Sequence, residues 1–156
     1  MNKLTESAIE TFAIKLLEKQ GYQYIYGPDI APDGETPERS SFEDIILLEK
    51  VKSAVSRINP TIPPDAWEDA IKQILNLASQ DLTANNEAFH RMLTEGINVS
   101  YQKDGSSRGD LVWLIDFNEP ENNDFIVLNQ YTVIENNVNK RPDVILFVNG
   151  LPLVVI

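Results

Sequence analysis

The sequence has 156 residues, of which 42% are hydrophobic and 24% charged, so it can bury the core of one globular domain. It contains no cysteine, which excludes disulfides and thiolate metal sites and fits a cytoplasmic protein. The formal net charge of −11 argues against a chain that holds DNA by its own surface, because neutralising phosphates requires Lys and Arg. No apolar run reaches the ~18–20 residues of a membrane helix, so no membrane partner is expected.

The first predicted element is a helix over residues 5–20. Apolar residues recur there at helical spacing and form one stripe, made of Ile9, Phe12, Ala13, Leu16 and Leu17. Ser7 and Glu10 form a capping-box pattern, and Thr5 is an alternative cap.

Three more helices are predicted before residue 96. A Pro- and Gly-rich loop over 27–39 precedes a second capping-box pattern at Ser40 and Glu43. The apolar spacing then predicts helices over residues 40–58, 65–79 and about 86–95.

From residue 97 onward the pattern changes to that of strands. Strands are predicted over 97–102, 111–115 and 125–134, the last bulged near Asn129, with a turn or loop over 103–109. Asp116 opens an acidic loop that lacks the ligand spacing of an EF-hand. It is either a strand-end carboxylate that faces the same cavity as Asp143 or a solvated turn residue, and the turn residue is favoured. We therefore divide the chain into a mainly helical part, 1–95, and a sheet core, 96–156, with a closing hairpin.

The closing hairpin turns at Asn149-Gly150, the strongest short-range hairpin signal. A two-residue turn pairs Val148 with Leu151 and places Asp143 opposite Ile156. A three-residue loop, with Gly150 at positive φ, instead places Asp143 opposite position 157. Since the final strand reads as buried, it is a poor natural terminus, and we expect an N-terminal portion of a longer chain.

The register given by the three-residue loop would bring together side chains that can bind a metal ion. A carboxylate at position 157 and a lysine at 159 would then share one sheet face with Asp143. Two close carboxylates attract a hard divalent cation such as Mg²⁺, which activates water and stabilises the leaving oxygen of a phosphodiester. A nearby ammonium stabilises the charge that develops on the phosphorane.

The tract Arg141-Pro142-Asp143 followed by Val-Ile-Leu-Phe-Val-Asn-Gly-Leu-Pro-Leu-Val-Val-Ile resembles the nuclease core of the restriction (R) subunit of type I restriction-modification enzymes. In that family Glu-x-Lys comes next and completes a PD-(D/E)xK motif. The resemblance extends to further segments, which are Thr5-Glu6-Ser7-x-x-Glu10, Gly21-Tyr22, Leu114-Ile115-Asp116-Phe117 and Phe125-x-x-x-Asn129-Gln130. It implies a restriction-endonuclease-like α/β fold, a mixed sheet preceded by N-terminal helices, with one incomplete nuclease domain at 1–156 whose last core elements are missing.

By that resemblance Asp143 is the catalytic, metal-binding carboxylate, and Glu6 or Glu10 of the first helix approaches the same metal. Lys140 and Arg141 are expected to contact DNA phosphate. The implied activity is Mg²⁺-dependent hydrolysis of DNA phosphodiesters by a longer cytoplasmic chain, which binds ATP outside this fragment and works with methylation and specificity subunits. The fragment alone is expected to be inactive.

Each of these residues also has a purely structural interpretation. Asp143 is then a strand-edge carboxylate, Glu10 the partner of a capping box and Glu6 a partner of the helix dipole. Lys140 and Arg141 are then an exposed approach to a strand. Two functional alternatives stand beside the type I interpretation: another PD-(D/E)xK nuclease of repair or recombination, and a non-enzymatic acidic interaction module.

Overall fold

The computed structural model describes residues 5–77 and 82–156. The elements in chain order are α1 (Glu6–Lys19), β1 (Gln23–Tyr26), α2 (Leu48–Ile58), α3 (Pro64–Leu75), α4 (Leu82–Glu95), β2 (Ile97–Lys103), β3 (Ser106–Val112), β4 (Phe125–Asn129), β5 (Val133–Glu135), β6 (Val138–Lys140), β7 (Val144–Val148) and β8 (Leu151–Val155). Short 3₁₀ turns occupy Gly27–Ile30 and Pro120–Asn122. Among the residues described, no helix combines the length and apolar character needed to cross a membrane.

The chain folds into two compact units, one of Met1–Glu49 with Asp124–Ile156 and the other of Lys50–Asn123. The predicted division at residue 95 does not follow these units, because β1 pairs with the late strand β4 while β2 and β3 form a sheet of their own. That residues 1–156 are one incomplete nuclease domain stays a prediction.

The first unit is built on a four-stranded mixed sheet in the order β1-β4-β7-β8. Strand β1 runs parallel to β4, whereas β4, β7 and β8 are antiparallel to their neighbours. The last residues of β1, β4 and β8 and the first residue of β7 therefore lie at one edge, which we call the sheet end.

Both faces of this sheet are covered. On one face α1 places Ile14 and Leu17 against Val127, Val144 and Leu146. The opposite face packs against residues from the 27–47 segment and from β5, and its cluster consists of Ile30, Leu47, Tyr131 and Val133 with Ile126, Leu128, Ile145 and Phe147. Strand β7 is buried throughout, which accounts for its uninterrupted apolar run.

The side of α1 that faces the sheet differs from the predicted stripe. Residues 10, 14 and 17, at spacings of four and three, turn towards the sheet, and only Ile14 is fully buried. Ile9, Phe12 and Leu16 are 57%, 64% and 44% exposed. Helical spacing identified the helix correctly, but it chose the wrong face for these three side chains.

The second unit packs α3 against β2, beside the β2–β3 hairpin. Asn59 ties it together, since its side chain bonds the backbone carbonyls of Val55 and Trp113 at 2.8 Å and accepts the Trp113 N–H at 2.8 Å. The predicted loop over 103–109 is wrong beyond the tight turn at Asp104-Gly105, because β3 begins at Ser106. Likewise β3 ends at Val112, before the predicted end at 115.

Two predicted helix boundaries also shift. Helix α2 begins at Leu48 and not at a Ser40–Glu43 box, because the preceding backbone bonds elsewhere. Leu47 donates its N–H to the Gly150 carbonyl at 3.0 Å, and the Ile45 carbonyl accepts from the Tyr131 hydroxyl. Helix α3 ends at Leu75, and the last residues of the predicted helix over 65–79 lie outside the described residues. Helix α4 spans Leu82–Glu95, longer than predicted.

The predicted long strand over 125–134 is interrupted at the sheet end. Strand β4 stops at Asn129, Gln130 takes a φ of +53°, and the chain resumes as β5. Strand β6, which the polar pattern over 135–140 did not predict, pairs with β5 through a turn at Asn136 and Asn137, whose φ values are +50° and +61°. Asparagine tolerates this left-handed region better than most residues, which suits it to such a turn.

Candidate metal centre at the sheet end

Asp143 lies at the sheet end, immediately before β7, and its side chain is exposed. Its backbone carbonyl accepts the Gln130 N–H at 3.2 Å, which extends the β4–β7 ladder by one residue beyond the Asn129–Val144 pair. The carboxylate thus directly precedes β7, a buried strand that packs against residues on both faces of the sheet. The carboxylate itself is exposed and accessible to a ligand.

The β7–β8 hairpin combines features of the two predicted registers. Its turn has two residues, since Val148 pairs with Leu151, and both Asn149 and Gly150 have positive φ, at +52° and +81°. The predicted three-residue loop is therefore wrong. However, a bulge at Leu153 shifts the pairing by one residue, so that Leu146 faces Val154.

Beyond the bulge the shifted register persists to the sheet end. Val144 and Ile156 exchange both backbone hydrogen bonds, at 2.9 and 3.4 Å, so Asp143 does not face Ile156. The bulge thus produces the same pairing near Asp143 that a three-residue loop was expected to give. Asn149 secures the far end of the hairpin, since its buried side chain accepts the Asp124 N–H at 2.8 Å.

Glu10 reaches the sheet end from α1. Its carboxylate accepts a hydrogen bond from the Asn129 side chain at 2.9 Å and from the Gln130 side chain at 3.3 and 3.4 Å. The capping-box role predicted for Glu10 is wrong, because the helix begins after Thr5 and no side chain caps it. Glu10 is half-buried, and Asn129 and Gln130 bond it through neutral amides, which donate hydrogen bonds without carrying a charge.

Tyr24 of β1 orders this set of side chains. Its hydroxyl donates to Oδ1 of Asn129 at 2.9 Å, which leaves the Asn129 Nδ2 group to donate to Glu10. Burial raises the pKa of the Tyr24 hydroxyl above its usual value, so the hydroxyl remains a donor at neutral pH. The chain Tyr24–Asn129–Glu10 therefore has a single hydrogen-bond direction.

The other predicted site residues lie at different places. Glu6 is the first residue of α1 and is exposed, one helical turn before Glu10. Lys140 ends β6 and forms an exposed ion pair with Glu135, whose pKa it holds below the usual range. Arg141 follows and is exposed, two residues before Asp143.

The donor set at the sheet end fits a hard divalent cation in part. Carboxylate and amide oxygens are the ligands Mg²⁺ prefers, and Mg²⁺ keeps several waters when only one or two carboxylates hold it. Within residues 5–77 and 82–156, however, no group of three or more His, Asp or Glu side chains is close enough to hold a metal. The described residues supply at most part of a coordination shell.

Asp116 belongs to the second compact unit and is bonded within its own loop. Its carboxylate accepts the N–H groups of Asn118 and Glu119 and the side chain of Asn122, all in its own loop. These bonds, the Glu119 N–H foremost, hold the pKa of Asp116 below its usual range. Asp116 is the turn residue that the acidic loop predicts.

The turn after β4 is supported from beneath by a buried arginine. Arg39, 6% exposed, lies 3.9 Å above the Tyr131 ring and donates to the backbone carbonyls of Asp44, at 3.0 Å, and Thr132. Burial raises the pKa of Tyr131 to about 12, and desolvation lowers the pKa of Arg39. The stack holds the 39–44 segment against the β4–β5 turn.

A mixed α/β sheet with a carboxylate at the start of a buried central strand and a glutamate from the helix on one face defines a restriction-endonuclease-like protein. Over residues 3–156 the sequence matches the family described as the type I restriction enzyme R protein N terminus, HSDR_N. The chain belongs to that family, and the resemblance seen in the sequence is confirmed.

Two relatives agree with this assignment. The type I restriction enzyme HindI endonuclease subunit of Haemophilus influenzae is 33% identical over 97% of this chain. A Methanocaldococcus jannaschii protein, provisionally named the type I restriction enzyme MjaIXP endonuclease subunit, is 32% identical over 98% of this chain. The chain spans only 14% and 15% of the lengths of these two relatives.

Proposed function

We propose that this chain forms the first part of the DNA-cutting module of a type I restriction enzyme, with a Mg²⁺ site at the sheet end. The observation that carries the proposal is that one residue, Gln130, bonds both candidates. Its side-chain amide donates to the Glu10 carboxylate of α1, and its N–H donates to the backbone carbonyl of Asp143, immediately before β7. Family membership supports the reaction class, since both relatives are named endonuclease subunits.

Asp143 and Glu10 are the residues that would hold Mg²⁺. The Asp143 side chain is exposed and therefore accessible to the ion and to a DNA phosphate. The Glu10 carboxylate accepts three hydrogen bonds from the Asn129 and Gln130 amides, which leaves lone-pair capacity on its oxygens for a metal ion. Bound there, Mg²⁺ supplies an activated water and stabilises the leaving oxygen.

We further propose that residues following Ile156 in the longer chain complete the site with Glu-x-Lys, as in the family pattern. The register supports this proposal, because Val144 and Ile156 form a hydrogen-bonded pair. One residue further along the antiparallel strands, Asp143 would lie opposite position 157. Directly opposite residues share a face, and position 159 shares it as well. A carboxylate and an ammonium there would stand beside Asp143, and without them the fragment is expected not to cleave DNA.

Lys140 and Arg141 are proposed contacts to DNA phosphate, since both are exposed and lie two or three residues before Asp143. Lys140 already shares its charge with Glu135, so Arg141 is the stronger candidate. Glu6 is proposed as an outer contact of the metal, one turn before Glu10. The net charge of −11 means that most of the affinity for DNA would come from other parts of the assembled enzyme.

The wider assembly is part of the same proposal. The chain spans only 14% and 15% of the two relatives, and an ATP-binding region outside residues 1–156 is proposed for the longer protein. Methylation and specificity subunits are the proposed partners, because the resemblance is to the R subunit of a multi-subunit enzyme. A cytoplasmic location follows from a DNA substrate and ATP, and a chain without cysteine is compatible with it.

The test is Asp143→Ala in the full-length subunit, assembled with its partner subunits and supplied with Mg²⁺ and ATP. Plasmid cleavage is expected to be lost while ATP hydrolysis continues, because the carboxylate serves only the cutting site. The matched control is Asp33→Ala, which removes an exposed aspartate from the 27–39 loop and should leave cleavage unchanged. Continued nicking by Asp143→Ala would contradict the proposal and favour a non-enzymatic acidic interaction module.

A further inference from the structure

Asn129 and Gln130 are consecutive residues, yet both side chains reach the same carboxylate, that of Glu10. In a regular strand, successive side chains point to opposite faces of the sheet, so one of the two should point away. The left-handed conformation of Gln130, with φ of +53°, removes this restriction at the sheet end. For a glutamine this conformation is uncommon and unfavourable, and such residues persist where the surrounding structure holds them.

Gln130 also makes a second contact in the opposite direction. Its backbone N–H donates to the Asp143 carbonyl at 3.2 Å, while its side-chain amide contacts both Glu10 oxygens at 3.3 and 3.4 Å. One residue therefore connects the helix that carries Glu10 with the strand that carries Asp143. Its own position is fixed from below by the buried Tyr131 and by the Arg39 bond to Thr132.

We infer that Gln130 is a positioning residue for the proposed metal site, and that its strained backbone is kept because it brings the Glu10 carboxylate to Asp143. This inference rests on the proposed function. Asn129 assists, since Tyr24 directs its amide towards the same Glu10 oxygen. Gln130 itself does not touch the metal or the DNA in this role; it acts through the placement of Glu10.

Glycine at position 130 separates the two roles that Gln130 could have. Glycine adopts a positive φ without steric cost, so Gln130→Gly keeps the turn and relaxes its strain while removing the amide. Asn137→Gly is the matched control, because Asn137 also has positive φ, at +61°, but lies in the exposed β5–β6 turn. Gln130→Asn is a second variant, since asparagine tolerates the conformation but is shorter by one methylene.

The experiment measures Mn²⁺ binding to the nucleotide-free full-length subunit by the electron paramagnetic resonance of free Mn²⁺, with the Asp143→Ala protein defining the background. Loss of an outer partner of a metal ligand typically weakens metal binding by roughly 10–100-fold, and Gln130→Gly is expected to fall in that range. Its cleavage should recover as Mg²⁺ is raised. Gln130→Asn should shift in the same direction, and Asn137→Gly should match the wild type.

Unchanged Mn²⁺ affinity in Gln130→Gly and Gln130→Asn would overturn the inference and leave Gln130 as a turn residue only. Hydrogen exchange of the 125–131 and 143–148 peptides reports whether the hydrogen bonds between β4 and β7 survive in each variant. Weaker Mn²⁺ binding together with loss of these hydrogen bonds in both Gln130→Gly and Gln130→Asn would also contradict a positioning role. If the Gln130 variants overturn the positioning role but Asp143→Ala has lost DNA cleavage, the proposed function still stands. If Asp143→Ala cleaves DNA, the proposed function and this inference both fail.

Discussion

Gly27→Ala is expected to disturb the sheet end without touching any proposed ligand. Gly27 is buried at the end of β1, where a Cβ atom would lie 2.3 Å from the Asn129 carbonyl oxygen and 3.0 Å from that of Gln130. Carbon and oxygen atoms in ordinary van der Waals contact are more than about 3.4 Å apart, so the overlap with Asn129 is near 1 Å. Both obstacles are backbone atoms, which cannot rotate away as a side chain does.

The energetic cost follows from this overlap. Overpacking of a filled site typically costs about 1–3 kcal/mol, and the upper part of that range is expected here because β1 or β4 must move. Strand β1 pairs with β4 as far as Tyr26 and Asn129, so the shift falls on the residues that hold Glu10. We therefore expect a lower free energy of unfolding and a higher Mg²⁺ requirement for cleavage.

The assay pairs urea unfolding with the Mg²⁺ dependence of plasmid cleavage. Gly109→Ala is the control, because among the described residues the nearest atom to a Cβ there is the Val99 carbonyl oxygen, at 4.0 Å, and the cost should be near zero. A Gly27→Ala protein within about 0.5 kcal/mol of wild type, the usual range for a harmless surface substitution, would refute the close approach of Gly27 to β4.

Three further predictions concern Tyr131 and Arg39, which pack under the β4–β5 turn, and Glu10, which is proposed to hold the metal. The pKa of Tyr131 in the folded protein is about 12 against an ordinary 10, so its contribution to stability is full below pH 10 and is lost between pH 10 and 12. Urea unfolding at alkaline pH should therefore show a loss of about 2–3 kcal/mol that Tyr131→Phe lacks. An equal loss in Tyr131→Phe would contradict this assignment to Tyr131. Arg39→Met should cost about 3–5 kcal/mol by urea unfolding, since it leaves the Asp44 and Thr132 carbonyls unbonded and removes the stack on Tyr131; a cost under 1 kcal/mol would show that the stack is not needed. Glu10→Gln should raise the Mg²⁺ concentration needed for cleavage with little change in unfolding, and an unaltered Mg²⁺ requirement would exclude Glu10 from the site.

The sequence alone predicted the features that depend on local chemistry. Asn149-Gly150 identified the hairpin, because few other dipeptides accept two positive φ values. Asp143 stood out as the carboxylate that opens a buried strand. The interpretation of Glu10 as a metal-facing residue came only from the family resemblance, and local rules favoured a helix cap that the structure does not contain.

What escaped prediction depends on contacts between distant parts of the chain. The bonds from Asn129 and Gln130 to Glu10 span 119 and 120 residues, and no local pattern encodes them. The bulge at Leu153 carries no glycine to mark it, so the register at Asp143 was predicted only as one of two alternatives. The positive φ of Gln130 could not be predicted from the sequence either, since glutamine rarely adopts this conformation. Asn129 and Gln130 were noted for their family resemblance, and the pair of amides beside the predicted bulge near Asn129 is the signal that marks them.

The most direct measurement of a metal between Glu10 and Asp143 is cleavage of the polypeptide by Fe²⁺ bound in place of Mg²⁺. With ascorbate and peroxide, Fe²⁺ generates hydroxyl radicals that cut the backbone near the metal, and mass spectrometry locates the cuts in the full-length subunit. Cuts close to residues 10, 130 and 143, absent from Asp143→Ala, are the expected result. Cuts confined to other parts of the subunit, or cuts at these positions that persist in Asp143→Ala, would contradict a metal site at the sheet end.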